Sequence, residues 1–278
     1  MMEIQRINEK QAKILKALGR YKFLTYTQMK RLGIDKHTPN LSNLVKELRE
    51  RSSPFVATMP HRIGSEVKHY LTPKGKNLLL DFYGLEDEKV HCPIGKITSD
   101  TQDEKHRTTI ISIQIELDLQ LESQDTALLF CDRYFDTVGN NKVDKNLKSK
   151  TAILFEESKS LKADMVFALQ TPKQKELYLL ELENGKDTKK AVNKCIQHGK
   201  AVLLGSANAK YQFQRGYRTL WIFEHEGTML ALVKELSGNP FFTHLKEYFL
   251  FKSLDLLDGN FFGGWLNADG LERQIFYV

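Results

Sequence analysis

The sequence predicts a two-domain protein of the α+β or α/β class: a small basic domain of helices with a β-hairpin, then a mixed β-sheet flanked by helices. Its 278 residues are enough for two domains, each with its own core. Residues 1–80 hold 16 Lys and Arg against 6 Asp and Glu, whereas the remainder holds 25 against 29. Such an asymmetry indicates a nucleic-acid-binding module attached to a unit with a different task.

Composition and absent motifs narrow the class of protein. The chain is 41% hydrophobic and 27% charged, which is typical of a globular protein. No apolar run approaches the ~18 residues of a membrane-spanning helix, and the N-terminus has no apolar signal-peptide region. Cys92, Cys131 and Cys195 are odd in number and widely spaced, which favours a reducing cytoplasm and gives no metal-site spacing. The chain also lacks a phosphate-binding glycine loop and a nucleophile elbow.

Three helices are predicted near the N-terminus. Apolar residues recur at helical spacing over Ile7–Leu18, and a glycine follows. A short second helix begins at Thr25 or Thr27. A longer third helix has Thr38 as its N-cap and Pro39 at its first position. Two short helices and a longer one joined by a glycine turn are typical of a helix-turn-helix.

A hairpin and a further helix follow. Pro54–Met59 and Glu66–Thr72 are predicted strands around a basic turn, and a helix begins after Thr72. The segment Tyr70–Lys76 resembles the strand-to-helix corner of winged-helix regulators, and the resemblance covers about residues 8–83. It implies DNA binding, although a winged helix used for protein contact is the alternative. The candidate DNA-binding residues are Asn40, Ser42, Asn43 and Lys46 for the major groove, His61, Arg62 and Lys68 for the backbone or minor groove, and Lys36 and Thr38 at the start of the third helix.

The domain boundary is predicted where this periodicity ends. Residues 85–101 are predicted to be a linker, so the domains span residues 1–84 and 102–278. The second domain is predicted to open with a helix from Asp103 to Leu121, and the long polar segment 132–162, with one strand candidate over 152–155, to face the substrate. Further predicted elements are a strand over 126–131, a helix over Asp187–Leu203, a strand over Arg218–Phe223, helices over Thr228–Leu236 and Thr243–Leu250, and an aromatic-rich tail over Phe261–Val278.

Three carboxylates gather in a predicted hairpin of the second domain. Lys162–Leu169 and Glu176–Gly185 are apolar or alternating segments joined by six polar residues, which favours adjacent antiparallel strands. Glu181 and Glu183 would share a face, and Asp164 would lie opposite them. Because clustered carboxylates repel unless a hard cation neutralises them, we expect these three residues to bind Mg²⁺ or Mn²⁺. A solvated edge strand carrying two glutamates is the alternative interpretation.

The pattern of Asp164, followed seventeen residues later by Glu181-Leu-Glu183, resembles the PD-(D/E)XK signature of restriction-endonuclease-like enzymes. Two positions depart from it, because Ala163 stands at the proline and Glu183 at the lysine. The resemblance implies that a lysine of the following helix takes the missing role. The candidates are Lys186, Lys190 and Lys194, and His106 in the long helix is a further candidate catalytic residue.

The two domains together resemble the relaxases of the MobC class and the related replication-relaxation proteins of plasmids and integrative elements. This resemblance implies a metal-dependent endonuclease that nicks double-stranded DNA at a transfer origin. It also implies accessory relaxosome and coupling proteins as partners, and leaves a homodimer open. The alternative is a non-catalytic winged-helix regulator of transcription or replication, whose second domain mediates assembly.

Overall fold

The computed structural model describes residues 7–60, 64–93, 95–98, 103–138, 148–157 and 159–276. The chain forms two compact units, Met1–Ile115 and Glu116–Val278. The boundary between the two units falls inside the long helix that is predicted to open the second domain. The linker predicted over residues 85–101 stays a prediction. The predicted fold class is confirmed in its general outline. N-terminal helices with a small hairpin are followed by a seven-stranded mixed sheet with flanking helices.

The described residues of the first unit form four complete α-helices, a two-stranded hairpin, two short 3₁₀ helices and the first part of a long fifth helix. Side chains of Asn8 and Thr25 cap the first two helices, each in a reciprocal pair with the glutamine three residues later. The first helix packs against the third and fourth helices and against the second strand. The elements are α1 (Glu9–Tyr21), α2 (Tyr26–Arg31), α3 (Thr38–Arg49), β1 (Val56–Thr58), β2 (His69–Leu71) and α4 (Pro73–Asp81).

Helix α3 begins one residue earlier than predicted. Its N-cap is His37, which makes no side-chain cap, and Thr38 is already helical, so the predicted Thr38 cap is wrong. The physical reason lies two residues upstream, where Asp35 accepts the backbone N–H of His37 at 2.8 Å. This bond turns the chain before Thr38 is reached.

The second unit is built on a seven-stranded sheet with the strand order β13-β12-β11-β10-β9-β8-β3. Two small hairpins, β4–β5 and β6–β7, branch from it. The long helix α5 (Glu104–Leu121) precedes the sheet. The other elements are β3 (Ala127–Arg133), β4 (Thr137–Val138), β5 (Lys148–Ser149), β6 (Ala152–Glu156), β7 (Lys159–Lys162), β8 (Met165–Gln170), β9 (Lys175–Glu183), α6 (Thr188–Leu203), α7 (Ser206–Tyr211), β10 (Arg218–Phe223), α8 (Glu226–Ser237), β11 (Phe249–Ser253), β12 (Trp265–Asn267) and β13 (Glu272–Arg273).

The sheet is parallel in its centre and antiparallel towards both edges. Strands β3, β8 and β9 pair antiparallel, β9, β10 and β11 pair parallel, and β11, β12 and β13 pair antiparallel. Every residue of β10 and β11 is buried, as central parallel strands require. A buried cluster joins Cys195 of α6 and Leu232 of α8 to Trp221 and Phe251 of the sheet. This cluster fixes helix α6 against β10 and β11, and a second cluster joins Ala201 of α6 to Val166 of β8 and Leu179 of β9, the strands that carry the candidate site.

Two predictions for the second unit are wrong. The predicted helix over Thr243–Leu250 is instead a short 3₁₀ turn followed by strand β11, because the run from Phe249 onward is buried on both faces. The prediction of a single strand in the polar segment 132–162 is also wrong: its described residues contain the predicted strand, as β6, and additionally β4, β5 and β7, which pair as β4–β5 and β6–β7.

Candidate active site

The candidate site lies where strands β8 and β9 meet. The two strands pair antiparallel, with Met165 opposite Leu180. Asp164 directly precedes β8, so continuing the register by one residue places it opposite Glu181. Both strands are almost wholly buried, because their apolar runs are covered on both faces. The pairing of Asp164 with Glu181 follows from that register.

Glu181 is completely buried and contacts two basic side chains of helix α6. Its Oε2 lies 2.7 Å from Nζ of Lys194, and its Oε1 lies 2.9 Å from Nε2 of His198. Lys194 and His198 are four residues apart on α6, so they share one face of the helix. The helix thus presents two nitrogen groups to one carboxylate.

These contacts have the length of ion pairs but not the alignment of hydrogen bonds. Both oxygens of Glu181 and Nδ1 of His198 are buried and have no partner with hydrogen-bond geometry. Buried polar atoms are nearly always hydrogen-bonded, so each exception calls for an explanation. The carboxylate of Glu181 therefore has acceptor capacity that these two side chains do not use fully.

The electrostatics keep Glu181 ionised. Burial raises the pKa of Glu181, but the charges of Lys194 and His198 outweigh it and lower the pKa to about 2. Burial likewise lowers the pKa of Lys194, while Glu181 and then Asp164 outweigh it and raise the pKa above its ordinary value. At neutral pH the site holds a carboxylate and an ammonium.

Asp164 and Glu183 complete the carboxylate group. Oδ2 of Asp164 accepts the backbone N–H of Leu182 at 2.8 Å, which fixes its side chain against β9. Oε2 of Glu183 lies 3.9 Å from Nζ of Lys194, and Glu183 is half-buried. Lys194 therefore lies near all three predicted carboxylates.

The structure distinguishes among the other predicted residues. Lys186 and Lys190 are exposed and take part in no ion pair with another described residue. His106 belongs to the first compact unit, whereas the three carboxylates belong to the second. The sequence reasoning missed His198, although its position four residues after Lys194 was a usable signal.

Two carboxylates at paired positions of adjacent strands can hold Mg²⁺ or Mn²⁺. Mg²⁺ in proteins is commonly bound by one or two carboxylates, with water and substrate phosphate as its other ligands. Asp164 and Glu181 supply such oxygens, and the incompletely used oxygens of Glu181 fit this role. No group of three or more His, Cys, Asp or Glu side chains arranged to hold a metal is found within the described ranges. A metal at this site would therefore be held by Asp164 and Glu181, with water and substrate phosphate as its remaining ligands.

Helix α3 of the first unit carries most of the predicted DNA-binding residues on its surface. Asn40, Asn43 and Lys46 are exposed, as are Lys36 and Thr38 at its start, while Ser42 is half-buried. Asn40 also donates to both oxygens of Asp35, at 3.3 and 3.4 Å. The helix therefore offers amide, hydroxyl and ammonium groups to a partner.

The residues predicted to contact the DNA backbone or minor groove are His61, Arg62 and Lys68. Lys68 is buried and its ammonium pairs with the carboxylate of Glu104, so it is committed inside the first unit. It is not available to contact a phosphate, and we remove it from the candidate DNA-binding set. His61 and Arg62 lie outside the described residues.

No protein-family model, curated protein or solved structure matches this chain. Within the part of the chain that the structure describes, no helix combines the length and the apolarity needed to cross a membrane.

Proposed function

We propose that this protein is a DNA-binding endonuclease that hydrolyses a phosphodiester bond with Mg²⁺ or Mn²⁺. One observation carries the proposal: Nζ of Lys194 lies 2.7 Å from the fully buried carboxylate of Glu181, with Asp164 in the adjacent register position. Two carboxylates and a lysine next to them are the residue types that the nuclease-like resemblance requires. In this proposal, Lys194 of helix α6 takes the role of the lysine that is missing from the motif at position 183.

Each side chain has a separate task in this proposal. Asp164 and Glu181 hold the metal, with Glu183 beside them at the more exposed end of the strand. The metal, when bound, polarises the phosphate and lowers the pKa of the attacking water. Lys194 places a positive charge where negative charge develops on the phosphate in the transition state. His198 orients the carboxylate of Glu181 from the buried side.

The first unit supplies DNA binding in this proposal. Its net charge favours a polyanion, and the order of α3 followed by the β1–β2 hairpin is the order expected of a winged helix. Asn40 and Asn43 offer amides that can hydrogen-bond to base edges, and Lys36 and Lys46 offer charges to phosphates. Nicking at a transfer origin, as in MobC-class relaxases, is the narrower form of this proposal.

A non-catalytic DNA-binding regulator is the second candidate function. The observation that favours it is that Glu181 already has two basic neighbours, so its charge is compensated without a metal. In such a protein the ion pairs would serve only to fix α6 on the sheet.

The decisive experiment compares lysines on one stripe of α6. Lys194→Gln and Asp164→Asn should reduce nicking of supercoiled plasmid in Mn²⁺ by about 10²-fold or more, since each removes a charge that acts in the transition state. Lys190→Gln is the matched control, because Lys190 lies one helical turn earlier, is exposed, and loses the same charge. DNA affinity should stay unchanged in all three variants.

Equal loss of nicking in the Lys190 and Lys194 variants would contradict the assignment. A wild-type protein that binds DNA but neither nicks it nor takes up Mn²⁺ in calorimetry would establish the regulator instead.

A further inference from the structure

The turn after strand β3 places a tyrosine beside the candidate site. Tyr134 directly follows β3, and its backbone N–H donates to the carbonyl of Asp164 at 2.9 Å. Arg133 pairs with Met165 in the sheet, so Tyr134 takes the register position next to Asp164. Tyr134, Asp164 and Glu181 therefore occupy neighbouring positions across three strands.

A buried ion pair fixes this turn. Asp136 accepts from Nε of Arg133 at 2.9 Å and from its backbone N–H at 3.0 Å, and both side chains are buried. The backbone N–H of Asp136 in turn donates to the carbonyl of Arg133 at 2.8 Å. A buried ion pair is tolerated only when its hydrogen bonds are well made, as they are in this turn. The backbone position of Tyr134 is therefore strongly constrained.

A lysine is held against the tyrosine ring. Nζ of Lys162 lies 5.3 Å from the ring centroid of Tyr134, and Lys162 stands two residues before Asp164. Lys162 is exposed and has no carboxylate of a described residue within ion-pair distance, whereas neighbouring Lys159 pairs with Glu156 at 2.6 Å. An ammonium next to the candidate site thus keeps its charge available to a ligand.

We infer that Tyr134 and Lys162 form a binding site for an unpaired DNA strand next to the carboxylates. This inference rests on the proposed function and deepens it by naming the substrate class. A half-exposed aromatic ring can stack on a base, and the adjacent ammonium can contact the phosphate that follows. Because the face of a base is accessible only when the base is unstacked, the pair selects DNA that is locally single-stranded.

The experiment measures binding of the full-length chain to a fluorescent oligothymidylate of about 12 nucleotides. Mg²⁺ and Mn²⁺ are left out, and unlabelled random duplex is added in excess to occupy the first unit. Tyr134→Leu keeps an apolar side chain but loses stacking, so affinity should fall by about 5- to 150-fold. Tyr134→Phe keeps the ring and should retain most of the affinity.

Lysine substitutions supply the second measurement and its control. Lys162→Gln should reduce the slope of log affinity against log salt concentration by about 0.7. Each phosphate contact on a single strand contributes about this much to the slope. Lys175→Gln removes an equal charge at the exposed start of β9, at the other end of the strand from Glu181. It should leave both the affinity and the salt slope unchanged.

The inference fails if Tyr134→Leu and Lys162→Gln bind the oligonucleotide as the wild type does, or if the Lys175 control loses as much. It also fails if Tyr134→Phe loses as much as Tyr134→Leu, because the ring would then not be what binds. If the wild type does not nick plasmid but the Leu and Gln variants lose strand binding as described, the proposed nuclease is wrong and the strand site stands. Because Lys162 is exposed, its variant keeps the test valid even if Tyr134→Leu unfolds.

Discussion

In the second unit, the Arg133–Asp136 ion pair and the contacts of Glu181 with its basic neighbours differ in how completely they are hydrogen-bonded. Arg133 and Asp136 are linked by aligned bonds from both the side chain and the backbone of Arg133. Glu181 has Lys194 and His198 at similar distances, yet neither contact is aligned. The first pair uses its geometry to fix a turn. The second leaves the carboxylate of Glu181 less completely hydrogen-bonded than that of Asp136, although Lys194 and His198 both contact it.

Breaking the structural pair should have the largest effect on stability. Arg133→Met leaves Asp136 buried without its counter-ion, and we expect the free energy of unfolding to fall by about 3–5 kcal/mol. Lys194→Met should cost less than half as much, because Glu181 keeps His198 and the Lys194 side chain is already 34% exposed. Urea unfolding followed by tryptophan fluorescence measures both, since both tryptophans lie in the second unit. Equal losses would remove the distinction between the two pairs.

Acid should destabilise the two units in different pH ranges. Burial, and then Arg49, lower the pKa of His69 in the first unit from 6.5 to about 4. The unfolded chain therefore binds the proton first, and stability present above pH 6.5 is lost as the pH falls towards 4, by on the order of 3 kcal/mol. Glu181 has its pKa lowered from 4.5 to about 2, so its contribution is lost only below pH 4.5.

Circular dichroism, which detects both units, should therefore change at a higher pH than tryptophan fluorescence, which detects the second unit alone. Coincident acid transitions in a His69→Gln variant and in the wild type would exclude His69 as the cause.

Neutralising Glu181 tests whether the neighbouring side chains stabilise or destabilise its negative charge. Repulsion among the three carboxylates would make Glu181→Gln as stable as the wild type or more stable, which is what the sequence alone suggests. The structure points the other way, because Lys194 and His198 favour the charged form. We expect a loss of about 1–3 kcal/mol without metal, and a larger midpoint increase with Mn²⁺ in the wild type than in the variant. Thermal melting with and without Mn²⁺ measures both quantities.

The smallest stability effects are expected on α3, where the side chains are exposed. Asn43→Ala and Lys46→Ala should each change the free energy of unfolding by less than about 0.5 kcal/mol. Their effects on DNA should differ: the asparagine variant loses preference among base sequences, and the lysine variant weakens binding to all sequences and flattens its salt dependence. Identical losses on specific and random duplexes for both variants would contradict the placement of α3 in the major groove.

The sequence predicted the parts of the candidate site that depend on strand periodicity. The apolar runs over β8 and β9 and the polar turn between them predicted an antiparallel hairpin with Asp164 opposite the two glutamates, and the observed pairing supplies the register that places it opposite Glu181. The sequence could not show which lysine of α6 contacts the carboxylates, because Lys190 and Lys194 are four residues apart and lie on the same face of the helix. Which of them reaches the carboxylate depends on how far along the sheet α6 packs, and long-range contacts such as that of Cys195 with Trp221 set that position.

Other elements were beyond local reasoning. The run Phe249–Ser253 is short and apolar for most of its length, so helix and strand fit it equally until its place beside β10 is known. His198 was missed because a buried histidine looks in sequence like any other packing residue. Lys68 looked like a basic wing residue, and nothing nearby indicated a partner 36 residues away.

The cluster that holds α6 against the sheet reaches from Ala191 to Ala268, near the end of the chain. A growing polypeptide therefore cannot complete this core until Ala268 has been synthesised. The elements of the first unit, by contrast, are available once its 115 residues have left the ribosome. During translation the helices α1–α4 can therefore fold before the carboxylates beside Lys194 have been assembled.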